Sequence, residues 1–327
     1  MVRTRETRSM SLSRCCMVMS FVFVAASPAE ARNPAQSDLV GAIGHYQVKG
    51  TETLIEVARP RALAFTEIMS ANPGVDPWVP AADTRLLLPS LHVLPQGPRT
   101  GVIINVAELR LYYFPEDGSG PLSFPIGIGR YNWTTPLGTT QIVRKAKNPS
   151  WYVPKSIREE DPTLPPVVPP GPDNPLGGHA LYLGMPGYLI HGTNKPWGIG
   201  MRVTHGCIRM YPENVAQLFE VVQPGAPVEI VNQPIKAGWD GQHIYLEVHR
   251  EPSYAREIGE DGTELREAAP AQLYPTAAKV VQDVAGTEIG RIDWTQVRDA
   301  VRDATGVPVR VSLEPDIVDS RISDAAR

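Results

Sequence analysis

The chain has 327 residues, 42% of them hydrophobic and 20% charged, with a formal net charge of −4. No apolar run approaches the roughly 18 residues of a membrane span, and no basic stripe marks a nucleic-acid binder, so those two classes are excluded and a soluble globular protein is expected. The 33 prolines argue against long helical bundles and coiled coils, and the cysteines, Cys15, Cys16 and Cys207, are too few for a disulfide scaffold.

In chain order, Arg3, Arg5, Arg8 and Arg14 precede an apolar stretch from Cys15 to Ala26 that ends near Ala29-Glu30-Ala31. This pattern reads as a secretory signal peptide over residues 1–31, too short for a membrane anchor. Cleavage after Ala31 leaves 27 basic and 33 acidic residues and one thiol, Cys207. A single cysteine in an oxidising compartment is exposed to mixed disulfides and sulfenic acid, so it is either buried and inert or has a chemical role.

Residues 45–90 read as strand, helix, helix, strand. The elements are a strand around Tyr46–Val48, a turn at Gly50, a helical pattern with Leu54, Ile55 and Ala58, and a second with Phe65, Ile68 and Met69. A stop at Asn72-Pro73-Gly74 and an apolar run Leu86–Pro89 complete the unit. The segments His45-Tyr-Gln-Val-Lys-Gly-Thr-Glu-Thr-Leu54 and Ala71-Asn-Pro-Gly-Val-Asp-Pro-Trp78, with Leu88-Pro89, resemble a LysM domain. That resemblance implies binding to the glycan strands of peptidoglycan. Glu52 and Ala82 stand where that family usually has Asp and Gly, and a purely structural spacer is the alternative.

From 99 to 232 the pattern changes to short β-rich runs: Gly101–Val106, Arg110–Phe114, Leu122–Ile128, Thr139–Val143, Leu181–Leu183, Tyr188–Ile190 and Pro227–Val231. Strands separated by Gly and Pro turns predict an antiparallel sandwich or barrel. One helix is expected at 212–222, with Pro212 in its first turn and Val215, Leu218, Phe219 and Val222 on one face. Eight prolines lie between Pro154 and Pro175. The run predicts a stiff, extended insertion, read as a lid or substrate loop rather than a linker. Residues 233–327 form a third, acidic region. It has a strand around Gln242–Val248 and helices at Pro270–Val284 and 294–305, the second with Asp293 and Gln296 as a capping box and Gly306 as a stop.

Chemistry concentrates between Ile190 and Met210, where His191, His205, Cys207 and Arg209 fall together. A thiol must become thiolate to attack a carbonyl, and an adjacent imidazole achieves this by taking the proton and stabilising the anion as an ion pair. The N–H groups around Gly206 and Cys207 suit an oxyanion hole, and Arg209 suits a substrate carboxylate. A zinc site is the competing reading, with His191, His205 and Cys207 as ligands and His179 or a distant acid as the fourth. His45, His92, His243 and His249 read as surface or core residues.

His191-Gly-Thr, followed by Thr204-His-Gly-Cys-Ile-Arg-Met210, resembles the signature of the L,D-transpeptidase (YkuD-type) catalytic family, and Thr134-Thr-Pro-Leu-Gly138 matches its upstream turn. Thr204 replaces the more frequent Ser. The resemblance spans about 99–232, and with the LysM-like unit and the Pro-rich insertion it points to the periplasmic branch of Gram-negative bacteria. It implies an α+β, mainly β chain: a YkuD-like β-sandwich, a small βααβ unit and a C-terminal α/β extension.

The implied enzyme uses no cofactor or metal. Cys207 attacks the meso-diaminopimelate carbonyl of a tetrapeptide stem, expels D-Ala, forms a thioester and passes the acyl group to an amine. His191 is the implied base, the Gly192 carbonyl orients it, His205 lines the site, and Thr204 and Arg209 adjoin the substrate pocket. Inhibition by carbapenems follows from thioester chemistry. The implied acceptor is an amine of an outer-membrane lipoprotein or barrel protein, or of a second diaminopimelate. With water as acceptor the enzyme is an L,D-carboxypeptidase. A non-catalytic wall-binding protein is the reading from another class, and it gives no reason to keep the His191/Cys207 pair.

Overall fold

The structure is a computed structural model that describes residues 37–250 and 270–314. The leader expected over 1–31 lies outside the described residues, among which no helix is long and apolar enough to cross a membrane.

The N-terminal unit has the expected order. After β1 (Leu39–Val40), β2 (Ile43–Gln47) leads into α1 (Leu54–Ala58) and α2 (Phe65–Ala71), and β3 (Arg85–Pro89) returns antiparallel to β2. Thr53 and Glu56 cap α1 reciprocally, which satisfies two of the free N–H groups at its start. Leu54, Ile55, Val57, Phe65, Ile68 and Leu86 close a small core. Met69, read as part of the inward stripe, is 37% exposed because short α2 buries only Phe65 and Ile68. Buried Asn72 ends α2 and ties it to β3, donating to the Ile68 and Leu87 carbonyls and accepting from the Leu87 N–H.

β4 (His92–Val93) pairs with β1 and leads into the catalytic unit. Its strands are β5 (Gly101–Asn105), β6 (Arg110–Phe114), β7 (Leu122–Gly129) and β8 (Gly138–Lys147), then β9 (Trp151–Tyr152) and β10 (Val167–Val168). They continue with β11 (His179–Leu183), β12 (Leu189–His191), β13 (Arg202–Thr204), β14 (Ile208–Met210) and β15 (Pro227–Val231). The order β7-β14-β12-β11-β8-β15-β5-β6 closes on itself through a β6–β7 pairing, with β13 beside β7.

The two long strands make the closure. β8 pairs with β15 over Gly138–Gln141 and with β11 over Ile142–Lys147, and β7 pairs with β6 in its first half and β14 in its second. The unit is thus a sandwich whose two sheets share strands at both edges. It is not purely antiparallel: β12 and β14, β15 and β5, and β13 and β7 run parallel. The shared core includes Ile104, Leu111, Ile126, Ile142, Ile190, Ile208 and Ile230. Helix α4 (Pro212–Val221) covers it with Val215, Leu218 and Phe219, the expected face.

The Pro-rich insertion departs from the extended reading. It contains α3 (Lys155–Glu160) and β10, which pairs with β9 just before it. Pro154 stands at the helix start, Pro165, Pro166, Pro169 and Pro170 flank β10, and Pro162, Pro172 and Pro175 lie in turns, where a missing N–H does no harm. Asn174, 0% exposed, holds its base by donating to the Pro149, Val168 and Pro169 carbonyls and accepting from the Leu176 N–H.

The C-terminal module pairs β16 (Ile235–Asp240) with β17 (His243–Val248) and β17 with β18 (Val309–Arg310). It is packed by α5 (Pro270–Ala285) and α6 (Trp294–Asp303) through Trp239, Leu246, Val281, Val297 and Val301. Asp293 caps α6 by accepting from the Thr295 and Gln296 N–H groups.

Candidate active site

The parallel pairing of β12 with β14 sets Ile190 opposite Ile208 and His191 opposite Arg209. Side chains alternate along a strand, so fully buried Ile190 and Ile208 enter the core while His191 and Arg209 share the other face. Cys207 stands two residues before Arg209, just outside β14. The Arg209 charge acts on both His191 and Cys207, although 16 positions separate those two in the chain.

His191 is 4% exposed. Its Nδ1 lies 2.6 Å from the Gly192 carbonyl, which only accepts, so Nδ1 carries the hydrogen and Nε2 keeps its lone pair. Burial and the nearby Arg209 charge push the imidazolium pKa down to about 3, against the Gly192 bond. Burial pushes the Cys207 thiol up, opposed by a backbone bond at Leu189 and by Arg209. The thiol is 3.5 Å from the Gly187 carbonyl, an acceptor suited to S–H. Both shifts favour the uncharged form, the thiol at Cys207 and the imidazole at His191.

The turn before Cys207 is built by hydroxyls. Thr204 is 2% exposed, and its Oγ1 donates to the Cys207 carbonyl at 2.6 Å and accepts from the Gly206 N–H at 3.2 Å. Thr204, read as a substrate contact, faces into the turn because those two bonds consume its hydroxyl. The same bond occupies the Gly206 N–H, expected in the oxyanion hole. Gly206 has φ +100°, and a Cβ there would stand 2.8 Å from the Tyr188 ring, so both conformation and space demand glycine. Thr135, in the Thr-Pro-x-Gly turn, donates to the Gly206 carbonyl at 2.9 Å and accepts from the Gly129 N–H at 3.1 Å.

Arg209 is half-buried, its Nε has no hydrogen-bond partner, and no carboxylate forms an ion pair with it among the described residues. A guanidinium left open beside a thiol is equipped to receive an anion. His205 has a different setting. Its Nε2 lies 2.9 Å from a Glu160 carboxylate oxygen of α3 and 3.0 Å from the Arg130 guanidinium, and the same carboxylate oxygen accepts from Arg130 at 2.6 Å. Trp133 donates to the other oxygen at 3.1 Å and packs edge-on against the His205 ring. Hydrogen bonds from His205 and Arg130 hold the Glu160 carboxyl below its usual range.

The zinc constellation does not assemble. Among the described residues the one compact group of metal-ligating side chains is His92, Glu108 and Glu247, without His191, His205, Cys207 or His179. In that group the Lys236 ammonium already stands 3.2 Å from Glu247 and is bonded to Glu108.

The YkuD family, the L,D-transpeptidase catalytic domain, matches residues 99–230. The probable L,D-transpeptidase YbiS of Escherichia coli K12 is 37% identical over 291 residues, spanning 85% of this chain and 91% of that protein. This chain belongs to the L,D-transpeptidase family. The probable L,D-transpeptidase YcfS of the same strain is 39% identical over 260 residues, spanning 76% of this chain and 81% of its own length. ErfK/SrfK of Salmonella typhimurium, also a probable L,D-transpeptidase, is 35% identical over 269 residues, spanning 80% and 83%.

The protein is accordingly an L,D-transpeptidase, an enzyme acting on peptidoglycan. Sequence reading of this L,D-transpeptidase missed Glu160, Arg130, Trp133 and Thr135 as parts of the site. Only Thr135 carried a local signal, its place in the Thr-Pro-x-Gly turn, since Arg130 and Trp133 meet His205 from the loop after β7 and Glu160 meets it from α3.

Proposed function

We propose that Cys207 is the nucleophile and His191 its general base in acyl transfer from the meso-diaminopimelate centre of a tetrapeptide stem. The reading is supported by the β12–β14 register, which sets His191 opposite Arg209 one residue into the strand that follows Cys207. As the stem carbonyl arrives, His191 Nε2 takes the thiol proton and Sγ bonds to the carbonyl carbon. The tetrahedral oxyanion is received by the Cys207 N–H, because the Gly206 N–H is already bonded to Thr204. Collapse breaks the bond to D-Ala, whose nitrogen leaves with the proton from His191. The acceptor amine then attacks the thioester, gives its proton to His191, and regenerates the thiol. Arg209 holds a carboxylate of the donor, and His205, oriented by Glu160, lines the site.

The N-terminal βααβ unit is read as a LysM module that keeps the enzyme on glycan strands. Glu52, in place of the usual Asp, serves the unit's own turn by accepting from the Tyr46 hydroxyl at 2.7 Å and the Lys49 N–H at 3.1 Å. The compartment is the periplasm, reached through a cleaved leader.

The βααβ unit, Pro-rich insertion and C-terminal extension together resemble both the crosslinking and the protein-anchoring enzymes, and of the two acceptors we slightly favour an amine of an outer-membrane protein. The test incubates the enzyme with tetrapeptide muropeptides, with and without a candidate lipoprotein, and weighs the products. A protein–stem adduct is expected. Stem-to-stem dimers in the protein-free reaction would favour crosslinking, and tripeptides alone would favour carboxypeptidase activity.

A further inference from the structure

The segment joining His191 to Cys207 is not held by the catalytic unit alone. The Thr66 hydroxyl, on α2 of the N-terminal unit, donates to the Gly200 carbonyl at 2.8 Å. Gly200 has φ +86°, and a Cβ there would stand 2.5 Å from the Ala64 Cβ, so the start of α2 rests directly on this glycine. Met201, the next residue, packs against the N-terminal core. On the other side, the Gly200 N–H donates to the Ile126 carbonyl at 3.0 Å and the Met201 carbonyl accepts from the Ile128 N–H at 3.1 Å. Residues 200–201 are therefore gripped between α2 and β7.

The same unit also holds the chain beyond Cys207. The Tyr211 hydroxyl donates to the Leu63 carbonyl at 3.3 Å, and Arg59 makes a two-point pair with Glu213 at 2.8 and 3.1 Å. The grip is anchored to the catalytic sheet by Glu67, which bonds Arg110 at 2.6 Å through one oxygen and caps the Ala64 N–H through the other. Both side chains of that pair are under a tenth exposed. β13 and β14, which flank Cys207, have three residues each, too few for ladder bonds alone to fix the thiol.

We propose that the N-terminal unit, whatever it binds, is a positioning element for the reaction. Thr66 and Ala64 against Gly200, and Arg59 against Glu213, set where Cys207 stands relative to His191. The proposal rests on the Cys207/His191 reading above. A displacement of about 1 Å at a reacting group costs up to roughly 10²-fold in rate, so contacts remote from the chemistry carry a kinetic signature.

The test uses the full-length protein and a carbapenem, following the adduct by intact mass over a range of inhibitor concentrations. Thr66→Val keeps the shape and removes the donor. It is expected to lower the limiting acylation rate constant about tenfold with half-saturation unchanged, and Thr66→Ser is expected to restore it. A merely structural role would lower the thermal midpoint and leave the limiting rate of the folded protein intact. Arg59→Gln, at an exposed contact that leaves the core untouched, is expected to lower the same rate constant about threefold and decides the matter if Thr66→Val does not fold. Wild-type limiting rates in the folded variants, with Cys207 acylated normally, overturn the proposal. Failure of the underlying reading looks different: no adduct on wild type, or one that persists on Cys207→Ala.

Discussion

Burial shifts His191 and Cys207 in opposite senses, lowering the imidazolium pKa and raising that of the thiol. It disfavours the two charged forms alike. The Gly192 carbonyl fixes the tautomer that leaves Nε2 able to take a proton. Arg209 lowers both pKa values, yet the desolvation of the thiol outweighs its pull. The sign of the pH dependence follows. The rate of Cys207 alkylation by iodoacetamide in free enzyme is expected to climb with pH, with a midpoint above that of an ordinary cysteine. A reactive plateau between roughly pH 5 and 7 would instead reveal a preformed ion pair.

Among the elements, α3 has the most direct link to the chemistry. Its last residue, Glu160, collects Arg130, Trp133 and His205, so the Pro-rich insertion is latched to the cysteine turn. Glu160→Gln keeps the shape but loses the charge that strengthens those bonds. A fall of roughly five- to tenfold in the carbapenem acylation rate is expected, from about 1–1.5 kcal/mol of lost positioning. An unchanged rate would show that the latch does not reach the site.

The elements that could be read in advance were those with a local period. Val215, Leu218, Phe219 and Val222 repeat every third or fourth residue, and Arg110–Phe114 and Pro227–Val231 are bounded by turn residues at both ends. β13 and β14 are too short to show any period, and the parallel pairing that aligns His191 with Arg209 depends on how the intervening loop crosses. The Cys207 and His191 reading rests on one contiguous segment, so sequence alone could offer it. Glu160 was hidden by its proline-rich surroundings, and Thr66 by lying 134 positions from its partner Gly200.

At the scale of the whole molecule, a buried ionic cluster ties the C-terminal module to the catalytic sheet. Lys236 on β16 bonds Glu108, the Val93 carbonyl at 2.6 Å and the Tyr112 hydroxyl at 3.2 Å, with Glu247 on β17 also 3.2 Å away. Burial alone would raise the Glu247 carboxyl, but Lys236, the His249 hydrogen bond and the nearby His92 ring hold it well below the usual range. Removing the cation leaves two buried carboxylates with hydrogen-bond donors but without the ammonium that stands between them. Lys236→Met is expected to destabilise the protein by about 3–5 kcal/mol in urea denaturation, whereas a loss under about 1 kcal/mol would mean the cluster is solvated. The module is thus part of the same folded body, consistent with relatives matched along most of their length.

The central claim, that this body presents Cys207 as an acyl-accepting nucleophile, is tested most directly by intact mass after incubation with a carbapenem. The account predicts one covalent adduct on the wild-type protein and none on Cys207→Ala. No adduct on wild type, or an adduct that survives the substitution, would contradict it.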